Sequence, residues 1–154
     1  MILYHFTSLF HLPGILGEGE INRGDVPISK TQGLRSPWFT RDGSEEGTLV
    51  ASNVNKSGVR ITVAFNDRDP NLFKWTDLVE QWRISKAWVE TLHKTGGEGS
   101  DNWFIYRGNV PSSMWTEVAV LTETGDYLPI SARALHYTGV VPNFTEQVRQ
   151  RDIA

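Results

Sequence analysis

Cysteine is absent from this chain of 154 residues. Disulfide bonds, zinc sites with thiolate ligands and a cysteine nucleophile are therefore excluded. No apolar run approaches the length of a transmembrane helix, and the first residues do not form a basic region followed by an apolar one. We therefore expect a soluble, cytoplasmic protein that makes no use of a membrane.

An excess of basic residues is also missing, because the formal net charge at pH 7 is -3. This charge argues against nucleic-acid binding driven by an overall positive charge, although it is compatible with a local basic groove. The hydrophobic fraction of 39% and the charged fraction of 21% are those of a globular chain. With no internal repeat and no shift in composition, we expect one domain over residues 1–154.

The common motifs of catalysis and phosphate binding are missing as well. The sequence contains no Gly-x-Ser-x-Gly elbow, no Walker-type phosphate loop and no Gly-x-Gly-x-x-Gly between a strand and a helix. Its four histidines, His5, His11, His93 and His136, fall in no recognised ligand spacing. We therefore expect no metal site.

What is present is a strand followed at once by a helix. The helix is predicted over residues 8–16, with one apolar stripe and with Gly17 and Gly19 to end it. Further strands are predicted over residues 37–40, 59–65, 102–107 and 115–121 and within 128–140. The longest helix is predicted over 77–93 and a shorter one over 46–53. This order predicts an α+β fold with a mixed or antiparallel sheet.

The first strand carries a polar pair, His5 and Thr7, in an apolar run. Residues two apart in a strand share a face, so both should point with Leu3, and Tyr4 and Phe6 should point the other way. A polar pair at a strand end, backed by a helix, is a common way to form a ligand pocket. The alternative is a core strand with one satisfied histidine, which is the more frequent case on residue types alone.

Glu117 is the carboxylate that stands out, because it lies in the apolar strand 115–121. Strand alternation predicts that it shares a face with Trp115 and Ala119. Such a residue lies either at a solvated edge or in a cleft, where it could orient a sugar hydroxyl and stabilise positive charge on an anomeric carbon. Arg41 and Arg60 are candidate phosphate ligands, although a single arginine is more often a solvated surface residue.

Taken in order, Tyr4-His5-Phe6-Thr7, the helix behind it, Trp38-Phe39-Thr40 and Glu117 resemble the ADP-ribosyltransferase superfamily, and above all its small DarT-type bacterial or phage members, some of them toxins. The resemblance implies an ADP-ribosyltransferase-like fold with split mixed or antiparallel sheets and a few flanking helices. It also implies NAD as the substrate of a glycosyl transfer, without a metal, to an acceptor that is a nucleic acid, a protein or a small molecule.

The resemblance assigns a role to each matching residue. Glu117 would bind the nicotinamide ribose and assist transfer, while NAD binding would involve His5, Thr7, Trp38, Phe39, Thr40, Arg41 and Arg60. Trp115 stands where arginine-directed members have a glutamate or glutamine, which disfavours an arginine acceptor. Two alternatives stay open: an RNA 2′-phosphotransferase-like enzyme that relies on histidine and arginines, and an inactive module of the same fold that binds a nucleotide or a protein.

Overall fold

A computed structural model describes residues 1–21, 25–27, 33–44, 56–87, 89–90 and 100–131 of the chain. The predicted α+β class is confirmed, since this part of the chain forms antiparallel sheets with two α-helices. The helix predicted over residues 46–53 and most of the stretch 128–140 lie outside the described residues.

The main sheet has seven strands, in the spatial order β11-β10-β6-β1-β5-β8-β7. Its strands are β1 (Ile2–Thr7), β5 (Trp38–Thr40), β6 (Val59–Ala64), β7 (Leu72–Lys74), β8 (Trp103–Tyr106), β10 (Trp115–Leu121) and β11 (Tyr127–Pro129). Two short ribbons pair β2 (Glu20–Ile21) with β9 (Val110–Pro111), and β3 (Asp25–Pro27) with β4 (Gly33–Arg35). The helices are α1 (Leu12–Glu18) and α2 (Trp75–Gln81).

Strand β1 lies at the centre of the sheet, and its side chains alternate as predicted. Its register places His5 opposite Ile61 and Phe6 opposite Arg60 on β6. Opposed residues of an antiparallel pair share a face. One side of the sheet therefore carries Leu3, His5 and Thr7, and packs against α1. We call this side the α1 face.

The opposite side, which we call the α2 face, carries Tyr4 and Phe6. Each face has its own apolar core. The α1-face core includes Leu3, Leu12, Leu16, Phe39, Val59, Ile61, Val63, Trp115 and Val118. The α2-face core contains Trp75, Leu78, Ile84, Trp103 and Ile105. In the described parts of the chain, no helix is long and apolar enough to cross a membrane.

Both helices depart from their predicted bounds. Helix α1 begins at Leu12 rather than at residue 8, because residues 8–11 form a turn in which the Ser8 carbonyl and hydroxyl oxygens accept hydrogen bonds from the His11 amide. Leu9 is left outside the helix and is 57% exposed. Gly19 ends the helix as predicted, with a φ of 68° that favours glycine.

Helix α2 ends at Gln81, so the prediction of one helix over 77–93 is wrong. Arg83 adopts a φ of 49°, which breaks the helix, and a new helical turn follows from Ser85. Ile84 and the partly buried Val89 pack on the same core as Leu78. The apolar spacing therefore continues through a break in the backbone, and spacing alone does not reveal that break.

Strand β10 contains a β-bulge that overturns the predicted face of Trp115. Trp115 lies opposite Val63 and Glu117 lies opposite Thr62, so Thr116 is an extra residue. The Thr116 hydroxyl donates to the Thr62 carbonyl oxygen at 3.4 Å. Trp115 is thereby turned into the α1-face core, while Glu117 points to the α2 face. The prediction that the two share a face is wrong.

Candidate functional site

The predicted site residues are divided between the two faces of the sheet. Glu117 is opposite Thr62, and Thr62 is opposite Tyr4, whereas His5 is opposite Ile61, and Ile61 is opposite Val118. The α1 face therefore carries His5, Thr7 and Phe39, and the α2 face carries Trp38, Thr40, Arg60 and Glu117. The side chains of His5 and Glu117 leave the sheet in opposite directions.

His5 is half-buried, and the neighbouring strand fixes the orientation of its ring. Its Nδ1 lies 2.8 Å from the carbonyl oxygen of Trp38, and its ring centroid lies 5.5 Å from that of Phe39. A carbonyl oxygen only accepts hydrogen bonds, so Nδ1 carries a proton and donates it. In the neutral ring, Nε2 is then a hydrogen-bond acceptor.

Phe39 and the two threonines of the predicted site are buried. The Phe39 ring packs against the ring of His5. Because Phe39 is only 1% exposed, it does not offer a surface on which nicotinamide could stack. Thr7 is also buried. Thr40 accepts a hydrogen bond on Oγ1 from the Asp42 amide at 3.1 Å, and this contact shapes the turn that follows β5.

On the α1 face, two aromatic residues that were not predicted as site residues, Phe65 and Tyr106, extend the contact between His5 and Phe39 into a row of rings. The Phe65 centroid lies 5.0 Å from that of Phe39 and 5.3 Å from that of the half-buried Tyr106. Burial raises the pKa of Tyr106 above its ordinary value, and the negative charge of Asp69 adds to the effect. The signal for Tyr106 was its place at the end of an apolar strand.

On the α2 face, five residues form what we call the Arg60 cluster: Tyr4, Gly43, Arg60, Glu117 and Tyr127. Arg60 Nη2 donates to Glu117 Oε1 at 3.1 Å, and Nη1 donates to the Gly43 carbonyl oxygen at 2.6 Å. The guanidinium carbon lies 5.2 Å from the centroid of Tyr4 and 4.6 Å from that of Tyr127. Such cation–π contacts hold a guanidinium between aromatic faces.

The two charges of this cluster are largely shielded from solvent. The side chains of Arg60 and Glu117 are 20% and 17% exposed. Arg60 Nε is buried and has no hydrogen-bond partner in the described part of the structure. Arg60, predicted to bind phosphate, and Glu117, predicted to bind ribose, are thus paired with each other, and residue spacing does not predict this pairing.

The remaining predicted residues lie elsewhere. Trp38 is half-buried, with its ring centroid 5.0 Å from that of Trp75 and 6.0 Å from that of Trp103. Arg41 is exposed, and its guanidinium carbon lies 4.9 Å from the centroid of Phe104. The structure therefore does not bring Arg41 and Arg60 together as one phosphate clamp.

Within the residues that the structure describes, no group of three or more histidine, aspartate or glutamate side chains could hold a metal ion. No protein-family model matches the chain, and no curated protein and no solved structure matches it either. Function is therefore inferred from the motifs and from the geometry of these residues.

Proposed function

We propose that this chain is an NAD-dependent ADP-ribosyltransferase that binds NAD on the α1 face of its central strand. The observation that carries the proposal is the oriented, half-buried imidazole of His5. With Nδ1 donating to the Trp38 carbonyl, Nε2 of the neutral ring suits a ribose hydroxyl, which can donate a hydrogen bond. The α+β class with antiparallel pairing supports the ADP-ribosyltransferase-like fold that the resemblance implies.

The proposed reaction breaks the bond between nicotinamide and the anomeric carbon of the adjacent ribose. Nicotinamide leaves as a neutral molecule with the bonding electron pair, an acceptor atom forms the new bond to the anomeric carbon, and the acceptor loses a proton. Positive charge develops on the sugar, and a nearby carboxylate would stabilise it. The resemblance assigns that role to Glu117, but its side chain lies on the α2 face, opposite the NAD site proposed at His5. The acceptor is a nucleic acid, a protein or a small molecule.

A second candidate is a module that binds a nucleotide without cleaving it. The placement of Glu117 favours this alternative, because its side chain is on the face opposite His5 and is paired with Arg60. A carboxylate that already neutralises an arginine is less available to a developing cation. The two candidates share the NAD site and differ in turnover.

Calorimetric titration with NAD, together with chromatographic measurement of released nicotinamide, tests both candidates. We expect the wild-type protein to bind NAD and release nicotinamide. The variant His5→Ala should weaken NAD binding about tenfold, the effect of one lost hydrogen bond of roughly 1.4 kcal/mol. His11→Ala is the matched control, because His11 is exposed outside the sheet and should leave the affinity unchanged.

Glu117→Gln tests the carboxylate, with Glu123→Gln in the exposed turn 122–126 as its control. A catalytic Glu117 should give a fall of about 10²–10³ in nicotinamide release, the usual effect of removing one transition-state contact. Equal rates of nicotinamide release by the two variants would show that Glu117 has no catalytic role. Binding of NAD without turnover would favour the module, and failure to bind NAD would overturn the proposal.

A further inference from the structure

The main sheet consists of two halves that join between β1 and β5. Strand β1 pairs with β6 over its whole length, from Ile2 opposite Ala64 to Thr7 opposite Val59. On its other side, the register with β5 places only Tyr4 opposite Thr40. Strand β5 is in turn paired with β8 along its three residues. We call the β1–β5 junction the seam.

A side-chain hydrogen bond crosses the seam on each face of the sheet. On the α1 face, His5 on β1 donates from Nδ1 to the Trp38 carbonyl oxygen on β5. On the α2 face, Arg60 on β6 donates from Nη1 to the carbonyl oxygen of Gly43, just beyond β5. Both bonds therefore depend on where one short segment, residues 38–43, lies relative to β1.

Close packing makes this segment sensitive to the Arg60 cluster. A Cβ atom at Gly43 would lie 2.8 Å from Cζ of Tyr4 and 3.0 Å from its Cε1 and Cε2, so Gly43 and the Tyr4 ring are already in close contact. The Arg60 guanidinium covers the same ring. The bond from the Asp42 amide to Thr40 Oγ1 stiffens the turn between β5 and Gly43. Tyr4 is adjacent to His5 in β1.

We infer that Arg60 is a positioning residue for His5. Its hydrogen bond to Gly43 fixes the end of β5 and so holds the Trp38 carbonyl oxygen within reach of Nδ1 of His5. The hydrogen bond to that oxygen then selects the Nδ1–H tautomer of the imidazole. Glu117 takes part by orienting the guanidinium through its ion pair. The coupling belongs to the protein itself, and only its consequence for NAD affinity rests on the proposed function.

The tautomer of His5 can be measured directly in the protein without ligand. Imidazole ¹⁵N chemical shifts distinguish a protonated ring nitrogen from an unprotonated one, and titration of the same signals identifies the neutral form. We expect the Nδ1–H tautomer in the wild type. The hydrogen bonds of the ring set the tautomer of a neutral imidazole, so Arg60→Met should give a mixture with the Nε2–H form.

Three further variants separate this coupling from general damage. Arg68→Met removes an exposed arginine and should keep the wild-type tautomer. Arg60→Lys retains a cation that can reach one of the two acceptors, so it should restore part of the Nδ1–H population. Glu117→Gln removes the charge and replaces one carboxylate oxygen by an NH₂ group, while its remaining oxygen can still accept from Arg60. It should also raise the Nε2–H population, by less than Arg60→Met does. If Arg60→Met does not fold, the tautomer measured in Glu117→Gln tests the inference in its place.

NAD titration of the same variants distinguishes positioning from direct phosphate binding. If Arg60 positions His5, Arg60→Met changes the tautomer in the free protein and raises the dissociation constant for NAD. If Arg60 binds the pyrophosphate directly, affinity falls while the tautomer is unchanged, and the inference is overturned. A tautomer shift in a protein that binds no NAD would uphold the inference and reject the proposed function.

Discussion

Burial of single residues separates those that can touch a ligand from those that support them. His5 is half-buried and Arg41 is exposed, whereas Phe39, Thr7 and Thr40 are almost entirely covered. A buried ring cannot stack on a ligand, but it can hold a neighbouring side chain in one orientation. Of these five residues, only His5 and Arg41 have enough exposed surface to touch a ligand, and the buried ring of Phe39 lies against that of His5.

Tyr106 gives a pH-dependent prediction at this scale. Burial and the nearby charge of Asp69 raise the pKa of Tyr106 above its ordinary 10.0 in the folded state. Between 10.0 and the raised value, the folded protein keeps a proton that the unfolded chain has lost, so the free energy of unfolding falls as the pH rises. The contribution of Tyr106 is fully present below pH 10.0.

Urea unfolding of the wild type and Tyr106→Phe at several pH values tests this prediction. Phenylalanine keeps the ring beside Phe65 and removes the ionisable hydroxyl. We expect the free energy of unfolding of the variant to be about 1 kcal/mol lower at neutral pH, because the hydrogen bond between the Tyr106 hydroxyl and Asp69 is missing. Above pH 10.0, the free energy of unfolding should decline less steeply in the variant than in the wild type. Parallel declines in the two proteins would contradict the role of Tyr106.

Among the elements, β10 shows how one inserted residue redirects several side chains. A regular strand would place Trp115 and Glu117 on one face, and the bulge at Thr116 separates them. Trp115 then enters the core and Glu117 reaches Arg60. The Arg60 cluster therefore depends on a backbone irregularity in a strand whose existence was predicted correctly.

Two single-residue deletions in β10 test this account. Deletion of Thr116 removes the bulge but leaves Trp115 opposite Val63 and Glu117 opposite Thr62, so we expect folding with a loss of roughly 1–2 kcal/mol. Deletion of Val118 gives a strand of the same length, and it moves Glu117 into the buried position opposite Ile61.

We expect this second variant to lose more than about 4 kcal/mol or to remain unfolded, because an unpaired carboxylate is costly in an apolar core. Urea unfolding followed by circular dichroism measures both variants. Similar stabilities for the two deletions would mean that the bulge does not determine the face of Glu117.

At the scale of the whole molecule, the strand order of the main sheet requires pairing between segments that are far apart in the chain. The central strand β1 pairs with β5 and β6, and the hydrogen bond from His5 to Trp38 spans 33 residues. Pairing strands so distant in the chain requires closure of long loops before the contacts form, which slows folding.

We therefore expect refolding on a timescale of roughly milliseconds to seconds, as in other sheets with non-local pairing. Stopped-flow fluorescence after dilution from urea measures the rate, since the Trp38, Trp75 and Trp103 rings come together only in the folded state. Refolding within microseconds would show that closure of the β1–β5 seam does not limit the reaction.

Local features could be predicted from the residues alone: the α+β class, the alternation of β1, the strands at β6, β8 and β10, and the end of α1 at Gly19. Each follows from spacing or from the conformational preference of one residue. Only the tertiary structure settled the face of Glu117, its pairing with Arg60 and the contact of His5 with Trp38. These features depend on which distant segments become neighbours, and residue spacing along the chain carries no record of that choice.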